Sequence, residues 1–181
     1  MKNIQYVSRF YKWLFQIMFC ILPIIYVVFW INAPSPIFSE VYGFSMSFVP
    51  DEILITQALT KGTKMLGFMV GLIPLSIHLF TLYFLIVLFK QFERNNIFAK
   101  INVHYIKRIG YTVLAGQLLN PLYQALISPV LTWHNPPGQR VVTITLSGTN
   151  LGLLLTSLLI ILISWIMAEG YKLKEEQDYT V

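Results

Sequence analysis

Gln117, Asn120, Gln124 and Ser128 follow one another at intervals of three, four and four residues, so a helix through them puts all four on one face. They lie inside a long uncharged stretch, where such a stripe has two readings. It hydrogen-bonds neighbouring helices, each contact contributing about 0.6 kcal/mol, or it lines a route or binding site for a small polar molecule. His78, in another apolar stretch, is the titratable group nearest a membrane midplane. One histidine makes neither a proton relay nor a metal site, and a neutral ring hydrogen-bonded across helices explains it. Proton relays and charged-substrate pumps use carboxylates or cations deep in a span, and this sequence has none there. The Asn120-Pro121 pair is either a simple proline kink or a helix break of the kind that lines cavities.

Catalytic constellations are missing. There is no H-E-x-x-H, no G-x-S-x-G and no carboxylate pair within an apolar stretch. Glu175 and Glu176 are adjacent, so on a helix they point in different directions and read as a solvated face. His78, His104 and His134 lack metal-ligand spacing. The sequence therefore implies no enzyme and calls for no cofactor or metal.

The elements that carry these residues are set by charge segregation. Of 181 residues only 12% are charged, while 56% are apolar and the mean hydropathy is +0.64. Stretches of 27, 25, 31 and 28 residues carry no charge between Lys12 and Glu40, Lys64 and Lys90, Arg108 and Arg140, and Arg140 and Glu169. About 20 apolar residues cross the ~30 Å hydrocarbon core. The expected fold is an all-α, four-helix transmembrane bundle in a single domain over 1–181, with spans near 13–31, 65–89, 109–131 and 147–168. Trp13 and Trp30 suit interfacial belts at the ends of the first span, and Pro23 should loosen its middle. That span is too long and too proline-flanked for a cleaved signal peptide and is expected to remain. Cys20 within it reads as a small buried hydrophobe. Residues 50–62 predict a short helix, Pro50 opening it and Lys61 with Gly62 closing it, either on the membrane surface or packed on the bundle. "WHNPPGQR" at 133–140 predicts a tight turn, and Asn95-Asn96 a left-handed one.

Orientation follows from Lys and Arg counts. Three lie in the leader, five in the 90–108 connection and two in the 169–181 tail, against Lys61, Lys64 and Arg140 elsewhere. This ten-to-three bias puts both termini and the 90–108 loop in the cytoplasm. Because the basic residues flank apolar stretches, the net charge of +5 points to membrane topology and not to direct nucleic-acid binding. The acids of the tail, Glu175, Glu176 and Asp178, either dock loosely on the basic 90–108 loop or remain free in water.

"FERNNIFAKINVHYIKRIG" (92–110) and "EGYKLKEEQDYTV" (169–181) resemble the domain-of-unknown-function family 2975, small bacterial four-helix membrane proteins. The matching positions are Phe92, Asn95, Asn96, Phe98, Asn102, Lys107, Arg108 and Gly110, then Glu169, Gly170, Leu173, Glu175, Glu176, Gln177, Thr180 and Val181. Ala99 stands where the family has a capping Ser or Thr, which weakens that helix start by about 1 kcal/mol. The resemblance implies a bacterial inner-membrane location but no chemistry. It also offers as a partner a helix-turn-helix regulator often encoded beside such proteins. The sequence thus gives two main function classes, with a structural or assembly factor as a third. One is a non-enzymatic sensor or regulatory protein that binds another protein through a cytoplasmic surface of Phe98, Asn102, Lys107, Arg108, Glu169, Leu173, Glu175, Glu176 and Asp178. The other is a permease or channel subunit using the 117–128 stripe and His78. Beyond the lipid bilayer, the partner is that regulator, another membrane protein or a second copy of the chain.

Overall fold

Apolar stretches free of charge become helices because only a helix satisfies every backbone group within one segment in lipid. The computed structural model describes residues 2–32, 58–95, 99–145 and 148–179. Within them α1 spans Lys2–Asn32, α2 Lys61–Glu93, α3 Lys100–Thr132 and α4 Gly148–Tyr179. The protein is all-α, with no strand among the described residues. Three helices, α1, α2 and α4, are long and apolar enough to cross a membrane. The fourth expected span, α3, is as long as α2 at 33 residues. Its polar residues Gln117, Asn120 and Gln124 leave it less apolar than the other three.

Every helix outruns the stretch that hydropathy marks. At 31 to 33 residues each, they reach roughly 46–50 Å, against ~30 Å of hydrocarbon. α1 begins at Lys2 and not near 13, and α4 continues past Ala168, where the apolar residues end, to Tyr179. Once a helix is nucleated, each added residue gains a hydrogen bond for one pair of dihedrals, so it propagates into water. The expected tail is therefore largely helix.

The ends are capped by nearby chemistry. The Thr60 hydroxyl accepts the Thr63 N–H at 3.4 Å, and its carbonyl accepts the Lys64 N–H at 3.0 Å. Thr60 is thus the N-cap of α2. Lys61 and Gly62, expected to close a helix, instead open α2; of the rest of that predicted helix, 58–60 are not helical and 50–57 lie outside the described residues. At the other end of α2, Asn95 takes φ +60°, the left-handed cap that asparagine tolerates.

The chain divides into two compact units, one of Met1–Cys20, Ile77–Gln117 and Gly148–Val181, the other of Ile21–Ser76 and Leu118–Ser147. In the first, α3 and α4 approach at Gly110, where a Cβ would sit 2.6 Å from Ile161 Cγ1. Leu82, Leu88, Ile109 and Ile161 are buried there. Ser157 and Ser164, also buried, donate to the Leu154 and Ile161 carbonyls of their own helix at 2.7 and 2.6 Å. In the second unit, Gly67 and Gly71 of α2 let Trp30 and Tyr26 of α1 press on the backbone. A Cβ at either glycine would come within 2.5 Å of those rings or the Tyr26 hydroxyl. Tyr26 donates its hydroxyl proton to Phe68 O at 2.5 Å.

Large apolar side chains are mostly on the outside, among them Ile17, Ile24, Leu155 and Leu162. Cys20, expected to be buried, is exposed as well. In a bilayer the lipid tails satisfy an apolar side chain as well as a protein core does, so hydrophobicity does not select the interior.

Candidate functional site

The polar face of α3 meets the chain's own backbone in the second unit. After Thr132 the chain turns sharply. The Gln139 N–H donates to Pro136 O at 3.0 Å, and Gly138 takes φ +93°. Pro137 and Gly138 are the residues a type II turn needs at its two central positions. Asn135, buried, donates its side-chain amide to Gln139 O at 3.2 Å, and Arg140 Nε donates to Asn135 O at 3.2 Å. Residues 141–145 then return along α3 without regular structure of their own.

Three side chains of α3 hold that segment by its backbone. The Thr132 hydroxyl accepts the Val141 N–H at 3.2 Å and the Ser128 hydroxyl accepts the Thr143 N–H at 3.0 Å. Gln124 pairs with Thr145 as one peptide unit pairs with another. Its Oε1 accepts the Thr145 N–H at 2.6 Å and its Nε2 donates to Thr145 O at 3.2 Å. The match is geometric: four helical residues rise about 6 Å and two extended residues about 6.6 Å. Alternate N–H groups of the segment thus meet successive turns of the helix. Ser128 and Thr132 donate back to the Gln124 and Ser128 carbonyls at 2.6 and 2.9 Å, so both hydroxyls are used twice.

The remaining stripe residues are placed differently. Asn120 is half-buried in the second unit, whereas Gln117 and His78 belong to the first. Gln117 Oε1 is buried without a hydrogen-bond partner among the described residues, and His78 is exposed on α2. In the second unit His134 Nδ1 lies 3.3 Å from the Thr63 hydroxyl. Periodicity in the sequence marked Gln124 and Ser128, but Thr132 was missed. It continues the same four-residue spacing and carried that signal.

The first unit gathers charge. Glu93, at the end of α2, accepts from Lys12 Nζ at 2.5 Å and from Arg9 Nε at 2.8 Å. These two cations hold its carboxyl below the ordinary value of 4.5. Tyr11, Phe15 and Phe89 stack beside this clamp with centroids 5.3–6.0 Å apart. Glu93 belongs to the basic 90–108 connection, yet it pairs with the leader, a pairing that spacing along one chain does not reveal. Glu169 pairs with Lys172 at 3.1 Å. Of the expected cytoplasmic surface, Arg108, Glu169, Leu173, Glu175 and Glu176 are exposed and Lys107 is half-buried. Asn102 is fully buried, at 0%. Buried at the start of α3, it forms no part of a surface. Phe98 and the side chain of Asp178 lie outside the described residues.

Three long apolar helices with charge confined to helix ends and loops define a multi-pass membrane protein. The chain belongs to the DUF2975 family, described as a protein of unknown function, whose profile matches residues 18–181. No curated protein and no solved structure matches it.

Proposed function

We propose that this is a non-enzymatic protein of the bacterial inner membrane that senses or relays by binding another protein at the cytoplasmic end of its first unit. The observation that carries this reading is the exposed leucine on the stretch of α4 from Glu169 to Tyr179. A tail that only stopped the span would need no apolar side chain among its charges. Here Leu173 is 57% exposed beside the exposed Glu169 and Glu176. The leader adds Tyr6 and Phe10, both exposed on the overhang of α1. Apolar anchors ringed by charge are what a protein partner desolvates. The cytoplasmic side follows from the ten-to-three Lys and Arg bias, and the helix-turn-helix regulator suggested by the family resemblance is the first partner to try. The permease reading has less support, since Gln124 and Ser128 are engaged by residues 143 and 145.

A photo-crosslinking residue at Leu173, with Leu155 on the lipid-facing part of α4 as control, tests the reading in native membranes. A discrete protein adduct at 173, absent at 155 and abolished by E175K/E176K, is expected. Equal adducts at both positions, or none at 173, would overturn it.

A further inference from the structure

We propose that His104, Lys107, Arg108 and Tyr111 of α3 form a binding site for the phosphate headgroup of an anionic phospholipid. Glu93 is taken by Arg9 and Lys12, and Glu169 by Lys172. Lys107 and Arg108 pair with no carboxylate among the described residues. Among those residues their charge is left uncompensated.

Exposure says where a counter-charge would come from. His104, Arg108 and Tyr111 follow at four and three residues and are all exposed, so they share one outward face. Ala115, Leu118 and Leu122 continue that face, also exposed. A line that is cationic and aromatic at one end and purely apolar beyond it has the profile of a lipid, headgroup first.

Depth agrees. The Arg108 guanidinium lies 5.6 Å from the centroid of Phe84, on α2. Phe84 precedes Lys90, the first charge at that end of α2, by six residues, or about 9 Å of helix. Arg108 is thus drawn toward the hydrocarbon boundary, where lipid phosphates sit, and away from open water. The Lys107 ammonium rests 5.7 Å from the Tyr111 ring centroid, and Arg108 precedes that tyrosine by three residues, which makes the two neighbours on the helix surface. A planar guanidinium offers parallel donors to phosphate oxygens, while lysine adds a point charge. Tyr111 and His104 supply further donors. The site requires α3 to cross the bilayer and does not depend on a protein partner; it assigns Lys107 and Arg108 to lipid and leaves the partner surface to α4 and the leader.

The test is native mass spectrometry of the full chain, delipidated in detergent and titrated with phosphatidylglycerol or phosphatidylcholine. Phosphatidylglycerol is expected to bind at least about tenfold tighter, and R108Q to remove about that factor, as for one strong charge-assisted contact. R140Q, in the other unit, should bind as the wild type does, and excess inorganic phosphate should not displace the lipid. If R108Q fails to fold, H104A/K107Q serves in its place, with the same direction of effect. Equal binding of the two lipids, equal behaviour of R108Q (or H104A/K107Q in its place) and R140Q, or displacement by free phosphate would each overturn the proposal.

Discussion

A glutamine side chain is a peptide unit on a tether, and at position 124 it is used as one. Its amide gives the Thr145 backbone both the acceptor and the donor that a neighbouring strand would give. Leucine at 124 has similar bulk and no polar atoms, so it leaves two backbone groups without their partners. At about 1 kcal/mol for each hydrogen bond lost, Q124L should destabilise the folded protein by about 1–3 kcal/mol. S128A removes the acceptor of the Thr143 N–H and the donor to Gln124 O, again two hydrogen bonds, and should cost a similar amount. The check is thermal unfolding in detergent, with protease cleavage between 139 and 145 as a local readout. Faster cleavage in Q124L than in wild type, at a temperature where both remain helical, is the expected result. Unchanged cleavage would mean that the segment is held by something other than these side chains.

At the scale of elements, α1 and α2 show why a glycine pair matters. Gly67 and Gly71, four residues apart, are small residues at a helix–helix contact, where the missing side chains admit a partner's rings. A Cβ at Gly67 would lie 2.1 Å from Trp30, and Trp30 is 4% exposed with little room to withdraw. G67A should therefore destabilise by about 1–3 kcal/mol as an overpacked contact. G152A, where nothing lies within 4 Å, should be neutral or stabilising by up to about 1 kcal/mol. Melting curves of the two variants side by side decide it; a G67A curve that overlays G152A would remove the close contact from the account. The existence of these helices was legible in the sequence because the bilayer demands long uncharged stretches. Their true ends were not, because hydropathy reports only the part that meets hydrocarbon. Lys61 and Gly62 show the ambiguity, since a Lys-Gly pair closes one helix as readily as Thr60 before it opens the next. The turn at Gly138 and the left-handed Asn95 were legible, each resting on a backbone angle that few residues adopt. The partner of Gln124 and Ser128 was not: it is the backbone of 141–145, and a backbone leaves no mark in residue types.

For the whole molecule the open question is how often the chain crosses the bilayer, and α3 decides it. By composition α1, α2 and α4 alone qualify among the described residues, and three crossings would leave the two termini on opposite sides. Yet the polar residues of its stripe keep off the exposed face: Gln124 is 7% exposed, Ser128 and Thr132 are at most 1%, and Gln117 and Asn120 are half-buried. Its outward line from Ala115 through Leu118 and Leu122 to Leu126 is apolar. Exposed Tyr111 and Trp133 bracket that line, 22 positions apart, which is about 33 Å of helix and matches the hydrocarbon thickness with its aromatic belts. Averaging hydropathy over all faces conceals a helix that is apolar only where lipid touches it. The compact units agree, since Met1–Cys20 and Gly148–Val181 belong to the same one. That unit also holds ten of the 13 Lys and Arg residues of the chain. Four crossings with both ends cytoplasmic are therefore expected. A cytoplasmic reporter fused after Val181 should be active, and a periplasmic one inserted at Gly138 should be active. Periplasmic activity at Val181 would establish three crossings. It would return α3 to the membrane surface and remove the lipid-facing line on which its headgroup site depends.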